Sequence, residues 1–510
     1  MSERAKGIMV LTMNTVAFTV CFACWTMNGV LVTYLIDQRI FDWDKAQMGW
    51  LIGVPILSGS ILRLPLGVLT DRYGGRIVYT ILLLVAAVPM YLMSYANSYR
   101  HFLWGSLGFG LAGTAFAVGI AYTSVWFPKE RQGTALGIFG MGNAGSALTS
   151  MGAPLVLHAL TNGGANPEGW RTLPKLYAAA LAIMAVLFVC LTFSRKVEHN
   201  VEHTLMQRLA PLKSLRVWRF GLYYFVVFGA FVALAQWLIP YYVNVYSMSV
   251  ATAGMMAAIF SLPSGVIRAL GGWMSDRWGG RAVMYWVFGV CLLSLVLLCV
   301  PRMDIQSPGE GVMAERAGTV SAVAPGEVTV GDRRYALKAK PGVTPADAHE
   351  GLLVWPTLSS WQEPAVMVGQ QVAKKQLLAR GVTHIYFQAN IWIFTFLVFV
   401  VGIAMGIGKA GVYKLIPDYF PRDVGVVGGI VGVIGGLGGF CCPIIFGYLL
   451  RATGIWTTTW LFLAVATFVC LTWLHLVVQH ILRREAPQAM RHIESMAGGR
   501  VGKEMEATYG

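Results

Sequence analysis

Twelve long apolar stretches dominate this sequence and restrict it to a fold that crosses a membrane many times. A helix needs about 20 apolar residues to cross the hydrocarbon core of a bilayer. Of the 510 residues, 56% are hydrophobic and 12% are charged, which is too much apolar surface for a water-soluble fold. The predicted spans are residues 8–36, 46–70, 77–97, 101–127, 134–160, 174–194, 218–246, 252–273, 282–301, 388–417, 424–449 and 455–482.

Positive charge is distributed unevenly between the loops that join these stretches. The net charge of +15 comes in short clusters between apolar runs, which indicates a lipid bilayer and not a nucleic acid as the partner. With the N-terminus in the cytoplasm, twenty lysines and arginines fall on the cytoplasmic side and six on the outer side. Loops rich in these residues stay in the cytoplasm. Both termini are therefore predicted to be cytoplasmic, in a multi-pass protein of the inner membrane.

Residues 302–387 interrupt the apolar pattern on the outer side, between predicted spans 9 and 10. They are polar and rich in turn signals. Their stretch Val368–Ala379 faintly resembles a lipoyl-type β-hammerhead without the modified lysine. We expect a small β-rich periplasmic module without an assigned role. Three runs are typical of short strands: Thr319–Val323, Glu327–Val330 and Arg334–Leu337, the last two joined by a turn at Gly331-Asp332.

The two halves of the membrane part repeat each other. Residues 63–76, RLPLGVLTDRYGGR, match residues 268–281, RALGGWMSDRWGGR, at an offset of 205 residues. A second pair, Phe127-Pro128 before Gly142 and Phe420-Pro421 before Gly435, has an offset of 293 residues. The difference of 88 residues is close to the length of the insertion that separates the two pairs in the second half. Six spans are therefore duplicated as a parallel repeat, the design of transporters that bind substrate between their halves.

The predicted fold is all-α, with twelve transmembrane helices in two pseudo-symmetric six-helix halves. The predicted divisions are residues 1–195 for the N-terminal half, 196–217 for a cytoplasmic linker, 218–301 for helices 7–9, 302–387 for the insertion, 388–482 for helices 10–12 and 483–510 for a cytoplasmic tail.

The sequence D-R-x-G-G-R occurs at the cytoplasmic ends of spans 2 and 8 and resembles the loop signature of the major facilitator superfamily. Its glycines permit a tight turn, and its charges lie at span ends, where charge is tolerated. We expect gating and pairing between spans from these residues, and not contact with the substrate. They are Asp71, Arg72 and Arg76 in the first half and Asp276, Arg277 and Arg281 in the second.

Two arginines lie deep in the predicted membrane. Arg63 and Arg268 each precede the span-ending aspartate by eight residues, which is about 12 Å along a helix. An arginine near the bilayer centre costs about 2.5–3.5 kcal/mol on insertion scales, and no aspartate or glutamate lies well inside any predicted span. A matched pair of such guanidiniums predicts a mobile oxyanion as the partner. The alternatives are snorkelling to the interface or satisfaction by backbone carbonyls.

At these positions the sequence resembles the nitrate/nitrite porter family of the superfamily, across all of the membrane part except residues 302–387. The resemblance implies that Arg63 and Arg268 bind the substrate, that aromatic rings sandwich the planar anion, and that Asn143 lies near the site. The matching rings are Phe22, Phe116, Tyr224 and Phe228. It also implies two glycine signatures, with Gly140, Gly142 and Gly145 in span 5 and Gly435, Gly436 and Gly438 in span 11. Dense glycine rows let helices approach and slide.

Two lysines in span 10 remain. Lys409 lies about as deep as the arginines and is either a third positive charge for the anion or the carrier of a coupling proton. The resemblance implies that members of the proton-coupled group have a lysine at this position, whereas the nitrate/nitrite exchangers have small polar residues. Lys414 lies nearer the cytoplasmic end, and we expect it to reach Asp418 or the interface.

The sequence therefore predicts a monomeric secondary transporter of nitrate, by nitrate/proton symport, with nitrate/nitrite antiport as the alternative. A membrane anion sensor on a transporter fold is the alternative of a different class. No nucleophile or metal cluster is found within the spans, so an enzyme is not predicted. The eight cysteines lie in apolar stretches without the spacing of metal ligands, so neither a cofactor nor a metal is expected.

Overall fold

The computed structural model describes residues 2–195, 210–300, 303–324, 326–340, 357–420 and 424–485, without the side chains of residues 71, 129–134, 304, 357, 424–425, 482 and 484–485. Most of the predicted linker and nearly all of the predicted tail lie outside the described residues. The chain divides into two compact units. The first consists of Met1–Cys299 with Leu397–Gly510, and the second of Val300–Phe396.

The first unit is helical. In its N-terminal half the helices are α1 Glu3–Trp25, α2 Met27–Asp37, α3 Lys45–Ile61, α4 Arg63–Tyr73, α5 Gly75–Leu92, α6 Tyr99–Phe109, α7 Ala115–Trp126, α8 Lys129–Gly140, α9 Gly145–Leu160 and α10 Thr172–Leu191. After the linker come α11 Leu215–Tyr224, α12 Ala230–Tyr246, α13 Val250–Val266, α14 Arg268–Trp278, α15 Gly280–Leu298, α16 Ile391–Tyr419, α17 Val424–Thr453 and α18 Thr458–Glu485.

Most of the predicted spans are formed by these helices. Within the described residues, ten segments are long and apolar enough to cross a membrane, and α13 with α14, bent by 44°, makes an eleventh. The predicted fifth span, residues 134–160, is not among them. It consists of α8 and α9, which are joined by the 3-10 turn Met141–Ala144. The apolar pattern predicted this segment but not the break within it.

Several spans are broken partway along their length. Pro55 lies inside α3 and has no N–H, so the carbonyl of Leu51 loses its helical partner. The buried side chain of Asn28 compensates, because its Nδ2 donates to the Leu51 carbonyl at 2.6 Å. The other breaks fall at Thr26, Leu62 and Ile267, in the 3-10 turns Gly110–Thr114 and Met141–Ala144, and in the π turn Phe225–Gly229. Such breaks can expose backbone carbonyls inside a bundle of membrane-spanning helices.

The two halves repeat in detail where the sequence repeats. Helices α4 and α14 are both 11 residues long, and each begins with one of the deep arginines. Gly74 ends α4 with φ +85° and Gly279 ends α14 with φ +83°, a conformation that glycine adopts without steric cost. The duplicated sequence therefore folds into duplicated geometry.

The halves approach most closely at the end of the bundle that carries Asp44 and Arg451, which we call the closed end. A Cβ atom on Gly49 of α3 would lie 2.3 Å from the backbone oxygen of Pro443 in α17. Arg451 also pairs with Asp44 across the halves at 3.2 Å. Exposed ion pairs contribute only about 0–1 kcal/mol, so close helix contacts such as that of α3 with α17 contribute more to this closure.

The second unit is built from β-strands, as predicted. Its strands are β1 Met303–Met313, β2 Gly318–Ala324, β3 Glu327–Val330, β4 Arg333–Ala336, β5 Thr357–Pro364, β6 Gln371–Val372 and β7 Leu377–Phe387. They form two antiparallel sheets with the orders β1-β7-β5 and β4-β3-β2-β6. Val330 pairs with Arg333, which leaves Gly331 and Asp332 as the predicted hairpin turn. A core that includes Val320, Val328 and Leu378 stabilises the unit.

We predict that Gly49→Ala opens the closed end. The added methyl group meets a backbone oxygen that cannot rotate away, and such overpacking costs about 1–3 kcal/mol. Spin labels on cysteines introduced at the exposed residues Gln38 and Thr453, in a Cys190→Ser background, report the distance between the halves by double electron–electron resonance. We expect the short-distance population to fall. Gly67→Ala is the control, because a Cβ there meets nothing within 4 Å. Identical distance distributions in both variants would disprove the role of Gly49.

Candidate functional site

The two deep arginines lie at the helix breaks and point to the same place between the halves. Arg63 is 3% exposed, and its Nη1 donates to the Gly432 carbonyl of the other half at 3.0 Å. Its Nε donates to the Gly113 carbonyl at 3.4 Å. In the described residues, Nη2 of Arg63 and Nη1 of Arg268 have no hydrogen-bond partner. Backbone carbonyls therefore satisfy Arg63 in part, which is the alternative predicted from the sequence, but they leave donors free on both arginines.

No carboxylate neutralises either arginine among the ion pairs of the described residues. A buried donor without a partner costs about 1–3 kcal/mol, and more when the group is charged. Replacing such a pair by apolar residues would stabilise the fold. The two arginines are therefore kept at the expense of stability, which is typical of residues that bind a ligand.

Aromatic rings surround both guanidiniums. The Arg63 guanidinium carbon lies 5.5 Å from the centroid of Trp25, 5.5 Å from that of Phe116 and 5.3 Å from that of Phe228. The Arg268 guanidinium carbon lies 5.4 Å from the centroid of the same Phe116. The rings exclude water and stabilise the cations through their π faces, but they accept no conventional hydrogen bond. Phe116 thus joins the two arginines in one water-poor site.

The second half adds two tyrosines to this site. Tyr413 of α16 lies 5.7 Å from the Arg268 guanidinium carbon, and its hydroxyl donates to the Gly428 carbonyl at 3.2 Å. Tyr224 stacks on Phe228 with centroids 4.9 Å apart and meets Tyr413 edge to face at 5.1 Å. Tyr224 and Phe228 were predicted from the sequence. Tyr413 was missed, although its position one helical turn after Lys409 could have indicated the same face of the helix.

The remaining predicted ring, Phe22, lies behind this layer. It packs edge to face against Phe18 at 5.6 Å and against Trp25 at 5.4 Å. Trp25, one helical turn after Phe22, is the ring of this helix that contacts Arg63. The Trp25 ring is held in place because its Nε1 donates to the Pro55 carbonyl at 2.8 Å.

Asn143 is fully buried in the 3-10 turn between α8 and α9. Within the described residues, neither atom of its side-chain amide has a hydrogen-bond partner. Its backbone lies against Gly265, three residues before Arg268. Ser60, one turn before Arg63, is also buried with an unpartnered hydroxyl, and the sequence analysis did not single it out. Among the described residues, the side chains of Asn143 and Ser60 thus have polar groups near the arginines without a hydrogen-bond partner.

Lys409 is a third buried cation in this region. It is 0% exposed, and its Nζ donates to the Ser264 hydroxyl at 3.2 Å and lies 3.0 Å from the Phe231 centroid. Arg268 is its electrostatic neighbour. No acidic residue of the described part pairs with it. The lysine is therefore buried beside Arg268, on the side of the C-terminal half.

The signature glycines lie next to the arginines and rings. Gly140 of α8 faces Arg268, and Gly436 of α17 faces Arg63 and Ser60, so each arginine lies against a glycine of the opposite half. The other four allow close contact with neighbouring groups: Gly142 with Phe18, Gly145 with the Thr19 backbone, Gly435 with Tyr224 and Gly438 with Phe225.

The charged residues of the D-R-x-G-G-R loops have separate contacts away from this site. Asp276 pairs with Lys414 at 2.7 Å, which links α14 to α16, while the predicted partner Asp418 is also an electrostatic neighbour of Lys414. The helix break and bend bring α14 beside α16, which sequence spacing did not show. The arginines contact backbone or rings: Arg76 the Val189 carbonyl, Arg72 the Tyr73 ring, Arg277 the Trp273 ring and Arg281 the Tyr419 ring. The side chain of Asp71 lies outside the described residues.

A protein-family model described as Major Facilitator Superfamily matches residues 15–313 and 377–501 of this sequence. The chain belongs to the Major Facilitator Superfamily. Two curated relatives are "Probable nitrate/nitrite antiporter NarK1" of Thermus thermophilus, 37% identical over 96% of both chains, and "Nitrite extrusion protein" of Bacillus subtilis, 26% identical over 91% of this chain and 94% of the relative. The predicted membership of the nitrate/nitrite porter family is confirmed.

Solved structures support the fold of this multi-pass membrane protein. A bacterial homolog of the human lysosomal transporter Spinster, in an inward-facing and unoccupied conformation, matches with a TM-score of 0.63. It is 12% identical and covers 94% of this chain and 98% of its own. The nucleoside transporter NupG matches with a TM-score of 0.58, at 13% identity, over 92% of this chain and 99% of its own. The predicted fold class is confirmed.

We predict that Gly436→Ala destabilises the protein relative to Gly429→Ala in the same helix. A Cβ at residue 436 would lie 2.3 Å from the Ser60 hydroxyl oxygen and 3.3 Å from Arg63 Nη1, whereas at residue 429 it would meet nothing within 4 Å. Both variants gain the same helix propensity, so their difference isolates the clash, which costs about 1–3 kcal/mol. Thermal unfolding of the purified proteins measures it. Equal unfolding temperatures would show that α17 does not fit closely against Arg63.

Proposed function

We propose that this protein transports nitrate or nitrite across the inner membrane by alternating access, with the anion bound between Arg63 and Arg268. The observation that carries the proposal is that two guanidiniums from opposite halves, that of the buried Arg63 and that of the half-buried Arg268, lie near one phenylalanine ring. Each has an N–H group without a hydrogen-bond partner and no ion-paired carboxylate in the described part. Guanidinium forks match planar oxyanions with two parallel hydrogen bonds. The names of the Thermus and Bacillus relatives support the same substrate.

The environment of the arginines favours a small planar anion over a large organic one. Rings lie against both guanidiniums, so little space is left beside them for side groups of a ligand. A flat anion between stacked rings keeps its oxygens in the plane of the N–H donors. Asn143 and Ser60 provide further polar groups for an anion that both halves enclose.

Two arguments connect this site to alternating access. Arg63 donates to Gly432 of the other half, and Arg268 lies against Gly140 of the other half, so an anion that binds both arginines binds both halves. The charge distribution of the sequence predicts cytoplasmic termini, which makes the closed end the outer end of the bundle. The described conformation is then the one in which the outer path is shut.

Anion uptake requires an energy source. A negative-inside potential opposes anion entry by about 2.3 kcal/mol per charge per 100 mV. We propose nitrate/proton symport, because Lys409 is buried beside Arg268 without an acidic partner among the described residues and is therefore the candidate proton carrier. Nitrate/nitrite antiport is the second candidate and is favoured by the name of the Thermus relative. Exchange would be electroneutral and would need no proton carrier.

We expect Arg63→Lys to lower nitrate uptake into proteoliposomes by at least about 30-fold, because truncating one partner of a buried, hydrogen-bonded charge pair costs about 2–5 kcal/mol. An ammonium group keeps the charge but loses the planar fork. The control is Arg100→Lys, an exposed arginine outside the site. Circular dichroism and gel filtration verify that both variants fold. Wild-type uptake by a folded Arg63→Lys protein would refute the assignment of the site.

Uptake of labelled nitrate under imposed gradients separates the two coupling modes. For symport, an inward pH gradient alone drives uptake, and a protonophore abolishes it. For antiport, uptake requires internal nitrite. We expect symport, and we expect Lys409→Gln to lose pH-driven uptake while it retains exchange of nitrate for nitrate.

Lys213→Gln, which removes an exposed lysine, is the control for Lys409→Gln and should behave as the wild type. Normal pH-driven uptake by Lys409→Gln would remove the lysine from the coupling mechanism. Absence of uptake under both gradients, with nitrate still bound, would favour the anion sensor instead.

A further inference from the structure

A second group of arginines lies away from the central site, at the opposite end of the bundle from the closed end. Arg216 and Arg219 belong to the first turns of α11, and Arg281 belongs to the first turn of α15. The guanidinium carbons of Arg216 and Arg281 each lie 5.4 Å from the ring centroid of Tyr419, the last residue of α16. Arg219 lies 5.2 Å from the ring of Phe220, which in turn contacts Tyr419 at 5.5 Å. Three cations thus surround two touching rings.

Within the described part of the chain, no acidic side chain forms an ion pair with these three cations. Arg219 is 8% exposed, and its Nε has no hydrogen-bond partner in the described residues. None of the three arginines forms an ion pair or a hydrogen bond with the part of the chain that the structure describes. Arg216 and Arg281 instead repel the charge of Arg219. Ring faces stabilise a cation but leave its N–H donors without acceptors.

The first half of the protein has a single arginine at the corresponding place of its repeat. Arg76, the repeat counterpart of Arg281, donates through Nη2 to the carbonyl of Val189, while its Nε has no hydrogen-bond partner in the described residues. The second half differs because Arg216 and Arg219 of α11 add two further charges beside Arg281 and the same pair of rings.

We propose that Arg216, Arg219 and Arg281, arranged around Tyr419 and Phe220, form a second oxyanion-binding site at this end of the bundle. Oxygen atoms of a phosphate-type group match guanidinium forks and would supply both the charge and the acceptors that the cluster lacks. The site is separate from the central pair, since helix α14 places Arg281 roughly 15 Å from Arg268. A phospholipid headgroup and a free inorganic oxyanion share this chemistry. The proposal does not depend on nitrate being the transported substrate.

Two binding measurements on the purified full-length protein test the proposal and distinguish the two sources. Native mass spectrometry counts phosphatidylglycerol retained per protein, with phosphatidylcholine as the uncharged comparison. Thermal unfolding in lipid-free detergent, titrated with inorganic phosphate, reports a free oxyanion. The variants are Arg219→Gln and the double variant Arg216→Gln with Arg281→Gln. Arg195→Gln is the matched control, because Arg195 is exposed and lies 5.5 Å from the Trp126 ring in the other half.

The relevant measurement is the one, lipid retention or phosphate titration, in which the wild-type protein binds a ligand. In that measurement we expect at least a tenfold loss of binding in both test variants and no loss in Arg195→Gln. Loss in the lipid arm identifies a headgroup, and loss in the phosphate arm identifies a free anion. The double variant changes only exposed side chains, so it remains informative if Arg219→Gln does not fold. Wild-type behaviour of the double variant in both arms, or an equal loss in Arg195→Gln, would overturn the proposal.

Discussion

Two positive charges that lie beside aromatic rings, without an ion-paired carboxylate in the described part of the chain, are the constraint on which the rest of this structure depends. Arg63 and Arg268 cannot be stabilised by a carboxylate, because none of the described ion pairs reaches them. Their environment consists instead of rings, two backbone carbonyls and unpartnered donors. The arrangement is poor for stability and suited to a ligand that carries the missing charge.

The helix breaks and the glycines follow from the same requirement. Gly113, whose carbonyl accepts from Arg63, lies in a 3-10 turn that interrupts its span. The other carbonyl that accepts from Arg63, that of Gly432, lies inside the continuous helix α17, because a carbonyl oxygen can accept a second hydrogen bond. Arg63 and Ser60 fit closely against the opposite half at Gly436, where a Cβ would lie 2.3 Å from the Ser60 hydroxyl oxygen and 3.3 Å from Arg63 Nη1. Arg268 lies against Gly140 in ordinary van der Waals contact. Pro55, which interrupts α3, also frees the carbonyl that Asn28 then uses to join neighbouring helices. Local irregularities thus build the site, while the regular parts of the helices span the bilayer.

Much of this arrangement could be predicted from the sequence because it is repeated. The matched offsets identified Arg63 and Arg268 as partners, and the apolar pattern placed them deep in the membrane. The turn signals of the insertion located its hairpin correctly at Gly331 and Asp332. Tyr224, Phe228 and Phe116 followed from the family resemblance, and the structure places all three around the arginines.

Other features could not be read from sequence, because they depend on which helices lie side by side. Trp25 lies beside Arg63, whereas Phe22, one turn earlier in α1, packs against Trp25. The rotation of α1 decides which of the two rings faces the arginine, and the sequence alone does not give that rotation. The pairing of Lys414 with Asp276 joins residues 138 positions apart, and nothing in their local sequence indicates it. Tyr413 reaches the site only because α16 packs against α17.

The most direct test of the central claim is the equilibrium binding of labelled nitrate to the purified protein and to Arg63→Gln, Arg268→Gln and the double variant. If both guanidiniums hold one anion, each single substitution removes most of the affinity, and the double substitution costs far less than the two single losses added together. Additive losses, or wild-type affinity in either single variant, would show that the two arginines do not share an anion.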